Sequence, residues 1–363
     1  MNPATSAFLD LLRIIAALLV FINHDVQFWN RRIWSIANPL AHSAVIIFFV
    51  LSGYVIAYST FARNQDARKF VVARLSRLYS VVLPALLLTF VLQRIGASLN
   101  AEYYQQYSRG AELPRYLITA AFLQNIWLLA ASPASNKVFW SLSYEFWYYA
   151  LFGVAVFLKS KRVRNVALVA ILSLITPEIV LLLPCWLTGV VAYVCNERFC
   201  LSSRGARCGF ILCFVATILI FAYLPEYPFP LGHPRLWFSS CFVSDWIAAV
   251  AVAATILMFV AAKFAAPSPR TAAVIRYGAA HTFSLYLYHY PLLVFANAIL
   301  PLGSDPLRQG LCAVGVLATV LLLSTITEAR RNAWRKCFEW AYDRIFFREA
   351  GGKRHVQGPE SPG

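Results

Sequence analysis

"LDLLRIIAALLVFINHD", residues 9–25, has the apolar length of a membrane span, yet it holds Asp10 and Arg13 near one end and His24 and Asp25 near the other. Ionisable groups are costly in hydrocarbon, so a span that keeps four of them points to a pathway or a reaction centre. On a helix, eleven residues at about 100° each return to within about 20° of the start. Arg13 and His24 therefore share one face, roughly 16 Å apart along the axis. Asp10, three residues before Arg13, is placed to pair with it. Asp25 points about 100° away from its neighbour His24 and is poorly placed to orient the imidazole.

The whole chain resembles this stretch in composition. Of its 363 residues, 60% are hydrophobic and only 13% charged, which excludes a soluble globular domain. The net charge of +16 lies in short Lys and Arg clusters between apolar runs. That pattern fits loops facing anionic lipid and does not call for nucleic acid. Eight cysteines include no CxxC pair, so they read as buried or reduced thiols, with neither a disulfide framework nor a metal site. The opening "MNPATSAFLD" lacks the basic stretch and small-residue cleavage site of a secretory signal, and the first apolar run is expected to be retained.

Apolar runs near 8–28, 40–60, 78–96, 142–158, 165–177, 179–195, 208–224, 245–264, 280–300 and 310–327 are candidate spans. "YLITAAFLQNIWLLA", 116–130, is ambiguous by length. Charge decides it: with the basic loop 61–77 inside, a crossing at 116–130 would put "KSKRVR", 159–164, outside. A re-entrant or surface segment keeps that cluster and the later basic loops inside. The expected fold is an all-α polytopic bundle of about ten transmembrane helices with a re-entrant segment and both termini cytoplasmic. Residues 1–330 form one membrane domain. Residues 331–363 form a basic cytoplasmic tail, first an interfacial helix with basic and aromatic residues and then a disordered end.

Four stretches carry a resemblance. "LDLLRIIAALLVFINH" sets an Arg ten residues before a His, "AVIIFFVLSGYVIAY" is a phenylalanine-rich LSG helix, "ARLSRLY" precedes "LP", and "FWSLSYEFWYY" contains a WSLxxE pattern. "FSLYLYHYPLL" adds a late Tyr and His helix. In order and spacing these resemble the acyltransferase 3 family of integral membrane acyltransferases, over about residues 5–330. Many members have glycines where Leu12 and Ile14 stand and an acidic residue where Ile46 stands.

The resemblance implies O-acyl transfer, commonly acetylation of bacterial surface carbohydrate, in the inner membrane. The donor would be acyl-CoA, such as acetyl-CoA, as a substrate, with no permanently bound cofactor. A carbohydrate acceptor and polysaccharide biosynthesis machinery are the implied partners, besides the lipid bilayer. A cytoplasmic phosphate-bearing donor needs inward cations that fork onto phosphate oxygens, and Arg74, Arg77 and Arg13 suit that need. His24, with an ordinary imidazole pKa of about 6.5, suits the base that deprotonates an acceptor hydroxyl. Glu145 is expected at the outer side within reach of His24's level, orienting the imidazolium or the acceptor. Ser141, Ser143 and His289 are candidates for substrate contact. The structural alternatives are a helix-start carboxylate with Ser141 or Ser143 as cap for Glu145, and a satisfied buried histidine for His289. Trp140 and Trp147 read as interfacial anchors, and His42, His233 and His281 as bystanders. Ser52 and Gly53 read as a close-approach surface between helices. A multi-pass transporter or flippase for a lipid-linked sugar, or an accessory export subunit, is the alternative. No paired Gly- and Pro-broken short spans mark two halves, as a transporter repeat would.

Overall fold

In the computed structural model, residues 1–29, 31–127, 129–196, 201–225, 234–300 and 305–347 are described. Among them the chain is helical with no strand. Its helices are α1 (Pro3–Trp29), α2 (Arg31–Phe61), α3 (Ala67–Leu99), α4 (Ala101–Gln105), α5 (Glu112–Ala120), α6 (Trp140–Phe157) and α7 (Lys161–Leu174). Then follow α8 (Pro177–Asn196), α9 (Ser203–Tyr223), α10 (Phe242–Ala261), α11 (Pro269–Ala279), α12 (Thr282–Ile299), α13 (Pro306–Ile326) and α14 (Arg331–Phe347).

Seven helices, at 3–29, 40–61, 67–99, 177–196, 203–223, 242–261 and from 306 onward, are long and apolar enough to cross a membrane. The chain is therefore a multi-pass helical membrane protein. Of the ten expected spans, those at 142–158, 165–177 and 280–300 fall on α6, α7 and α12. The first and last of these have 18 residues each and carry three Tyr apiece, with Glu145 on α6 and His289 on α12, and α7 has 14. Of these short helices, α6 and α12 carry much of the site.

Segment 116–130 does not form a crossing helix. Helix α5 stops at Ala120, and the chain turns through Phe122 at φ 58°. Irregular backbone inside a membrane protein survives only where protein groups satisfy it. Tyr79 Oη donates to the Ala120 carbonyl at 3.0 Å, and Ser143 Oγ and Trp147 Nε1 donate to that of Phe122 at 2.8 and 3.3 Å.

The centre of the bundle is drawn together where α2 meets α8. A Cβ added at Gly53 would lie 2.0 Å from the Trp186 carbonyl oxygen, and one at Gly189 would lie 2.0 Å from that of Val50. Two reciprocal glycines thus let two backbones touch, as the expectation for Gly53 requires. Helix α1 packs between α2 and α12, and α12 also packs on α3. Helix α14 lies along α3: the Arg68 guanidinium donates twice to Asp343, at 2.8 and 2.7 Å, and the Tyr79 and Phe338 rings are 5.5 Å apart. Residues 348–363, the expected disordered end, lie outside the described residues, as does His233. Cys185, Cys195, Cys208, Cys213, Cys312 and Cys337 are in no disulfide.

Candidate active site

Helix α1 spans two internal chambers. Its Arg13 lines one of about 60 Å³, and its His24 lines another of about 350 Å³. Val45 and Tyr286 line both, so the chambers adjoin at these two side chains.

The smaller chamber gathers Arg13, Arg74 and Arg77 with Glu145, Ser52 and Tyr149. Residues 74 and 77 are one helical turn apart on α3, so their side chains leave the same face. Arg13 Nη1 donates to Asp10 Oδ1 at 3.0 Å, the pair anticipated from their spacing. Arg74 Nη2 donates to Ser59 Oγ at 3.4 Å, while its Nε is buried without a hydrogen-bond partner among the described residues. The Arg77 guanidinium lies 5.9 Å from the Phe283 ring centre and interacts electrostatically with Glu145, Glu328 and Asp10. Glu145 is held in turn: Trp186 Nε1 donates to Ser52 Oγ at 3.2 Å, Ser52 Oγ donates to Glu145 Oε1 at 2.8 Å, and Tyr149 Oη donates to the same oxygen. The close α2–α8 contact thus fixes Ser52, and Ser52 helps fix Glu145.

The structure moves Glu145 from its expected place. It lines the arginine chamber as a counter-charge and does not line the His24 chamber. Ser143 is also reassigned: it is fully buried, lines neither chamber and supports the chain turn at Phe122. The reason is helical phase. Ser141, Glu145 and Tyr149 recur every four residues and share a face, whereas Ser143 is about 200° from Ser141. Ser141 lines the arginine chamber, with its Oγ 2.8 Å from Tyr286 Oη in the dividing wall. Trp140 and Trp147, expected as interfacial anchors, are 7% and 9% exposed. Trp140 stacks on Phe238 at 4.2 Å and lines the His24 chamber.

His24 finds its partner far along the chain. Its Nδ1 is 2.9 Å from Nε2 of His289, a fully buried side chain, and His289 Nδ1 is 2.7 Å from the Leu285 carbonyl oxygen. That carbonyl can only accept, so a neutral His289 carries its proton on Nδ1 and presents a lone pair at Nε2. The same bookkeeping then puts the His24 proton on Nδ1 and leaves Nε2 of His24 as the basic nitrogen. Asp25 accepts from Trp29 Nε1 at 3.1 Å and takes no part, as its helical phase foretold.

Three further residues come to the His24 chamber without a sequence signal that singled them out. Lys137 donates to Gln27 at 3.1 Å and lies 5.1 Å from the Tyr290 ring centre. His42, read as a bystander, has Nε2 2.9 Å from Asp245 Oδ1. A charged Asp245 at the start of a span looks like a boundary marker until α10 is seen to face α2. Of the other histidines, His281 bonds Ser324 Oγ and lines neither chamber. No group of three or more His, Cys, Asp or Glu side chains suited to a metal ion occurs among the described residues.

What emerges is a polytopic helical membrane protein whose ionisable side chains are gathered into adjoining interior chambers along one helix. The chain belongs to the acyltransferase 3 family, whose acyltransferase domain matches residues 6–327. It is also 29% identical over 181 residues to an O-acetyl transferase of Shigella phage Sf6, covering 46% of this chain and 50% of that protein. The chain thus spans about half the length of that relative. No solved structure matches it.

Proposed function

We propose that the protein transfers an acetyl or other short acyl group from acyl-CoA to a hydroxyl of a surface or lipid-linked carbohydrate, as an enzyme of the bacterial inner membrane. The observation that carries this reading is the directed hydrogen-bond chain from His24 through His289 to the Leu285 carbonyl, which leaves His24 Nε2 as a base beside a chamber of ligand size.

In the proposed reaction the acceptor hydroxyl gives its proton to His24 Nε2 as its oxygen attacks the thioester carbonyl carbon. The tetrahedral intermediate collapses with cleavage of the carbon–sulfur bond, and the proton passes from the imidazolium to the departing sulfur. Products are the carbohydrate ester and CoA thiol. His289 accepts from His24 Nδ1 throughout and stabilises the transient imidazolium, the orienting part that a third group plays in nucleophilic triads. The arginine chamber receives the donor, with Arg74 and Arg77 facing phosphate oxygens. Its volume of about 60 Å³ is smaller than CoA, so donor binding widens it. The carbonyl carbon meets the acceptor at the Tyr286 wall, where the paired hydroxyls of Tyr286 and Ser141 stand near the developing oxyanion.

The test uses purified protein in nanodiscs and labelled acetyl-CoA, with surface glycan from deletion and complemented strains analysed for alkali-labile esters. Wild type restores one ester. His24→Ala is expected to abolish it while still binding CoA, since the imidazole is about three helical turns from Arg13. Arg74→Gln with Arg77→Gln is expected to weaken CoA binding, and Lys at both positions to restore it in part. Near-normal ester formation by well-folded His24→Ala protein would reject the assignment.

A further inference from the structure

Two side chains that line the His24 chamber each carry a buried oxygen with no hydrogen-bond partner among the described residues, although such atoms almost always have one. Asp245 is 3% exposed; its Oδ1 is taken by His42 Nε2 at 2.9 Å, but its Oδ2 is buried with no partner among the described residues. Asn23, also 3% exposed and one residue before His24, has its Oδ1 in the same condition. Both side chains line the chamber of about 350 Å³, which lies within the size range of small-ligand sites. A buried carboxylate oxygen left without a donor is among the more costly features a fold can keep.

We propose that Asp245 and Asn23 form the recognition site for a sugar ring of the acceptor, each taking the hydrogen of a ring hydroxyl and so presenting a neighbouring hydroxyl to His24. This rests on the reading of the protein as a carbohydrate acyltransferase. Both open atoms are hydrogen-bond acceptors, so the ligand has to bring donors. A polyol supplies several on adjacent carbons, whereas an acyl chain or a lipid tail supplies none. Trp140 and Phe238, whose rings stack at 4.2 Å with an interplanar angle of 5°, both line the chamber and give it a rigid aromatic wall. His42 holds Asp245 Oδ1 and thereby turns the other oxygen to the ligand. Asp245 and Asn23 are positioning and binding groups, and His24 remains the one that moves a proton.

Saturation-transfer NMR of the nanodisc protein with methyl glycopyranosides tests the site directly, beside CoA binding and the glycan ester assay. Wild type is expected to bind a glycoside. Asp245→Asn and Asn23→Leu are expected to weaken that binding about tenfold or more, as loss of a bond to a charged or buried group does. Asn23→Asp, which keeps an acceptor oxygen, is expected to retain it. CoA binding and the melting midpoint should stay near wild type in all three. Glycoside binding by Asp245→Asn equal to wild type overturns the proposal, as does loss of CoA binding in step with it, which would mark a structural role. Absence of any ester from the wild-type strain rejects acyl transfer to carbohydrate without touching the binding result, and failure of wild type to bind any glycoside rejects the site.

Discussion

His24 Nδ1 stands 2.9 Å from His289 Nε2, although the two residues are 265 positions apart in the chain. The second ring is anchored on the Leu285 carbonyl four residues earlier on its own helix, so the tautomer of His24 is set by α12. A base whose proton position is dictated from a neighbouring helix loses function when that neighbour changes, even if its own side chain is intact.

Replacing His289 by Leu is therefore expected to lower turnover by about 10²- to 10³-fold, within the range that general acid–base catalysis contributes. Donor affinity should remain unchanged. His289→Gln offers an amide oxygen that can accept from His24 Nδ1 and should recover part of the loss. Single-turnover measurements with labelled donor separate this from a binding effect, and equal rates for the Leu and Gln variants would argue against tautomer control.

Glu145 faces the guanidinium groups that we assign to an anionic donor. Glu145→Gln keeps an oxygen for Ser52 and Tyr149 but removes a negative charge from the chamber. Free CoA should then bind a few-fold more tightly, because an opposing charge at short range is gone. Calorimetric titration at two salt concentrations checks this, and weaker binding would show that Glu145 organises the arginines rather than merely offsetting them.

The glycine contact gives a prediction on stability. Gly53→Ala or Gly189→Ala forces a Cβ to within 2.0 Å of a backbone oxygen on the facing helix. Neither backbone can yield locally, so a loss at or above the usual overpacking cost of about 1–3 kcal/mol is expected. Gly310, where an added Cβ meets nothing within 4 Å, is the control. Gly310→Ala should be neutral or stabilising, since alanine is favoured over glycine inside a helix by roughly 0.5–1 kcal/mol. Melting followed by fluorescence in a mild detergent distinguishes these outcomes.

Lys137 lies in a turn before α6, outside the membrane-spanning helices, and burial pushes its ammonium from an ordinary 10.5 down to about 8. Between those two values the unfolded chain binds more protons at this site than the folded one, so the contribution of Lys137 to stability rises with pH across that window. Below about 8 the group is charged in both states and the penalty for burying it is fully present. The melting midpoint of Lys137→Met should exceed that of wild type at pH 7, and the difference should shrink as pH rises from 8 to 10. A gap that stays constant over that range would contradict the shift.

Some of this was legible in the sequence because it is carried by one helix at a time. Arg13, Asp10 and His24 need only helical phase, and Arg74 and Arg77 need only a three-residue spacing, to be placed on common faces. The failure to cross at 116–130 followed from charge balance, without knowledge of the buried turn at Phe122. Contacts between helices were not legible. Nothing local to His289 or Asp245 indicates which residue of another helix it meets, so neither the histidine pair nor the His42–Asp245 bond could be read. Ser143 was a different kind of miss, since the phase that served for α1 also excludes Ser143 from the face of Ser141 and Glu145.

The layer formed by Val45 and Tyr286 carries an obligation beyond chemistry. On the proposed reading, with the donor entering from one side of the membrane and the acceptor from the other, the protein joins two aqueous compartments. The Tyr286 ring and the Phe48 ring against it, 5.8 Å apart, would on that reading have to let a thioester reach through while denying passage to ions and water. On that reading, the wall at which donor and acceptor meet has also to serve as the cell's insulation.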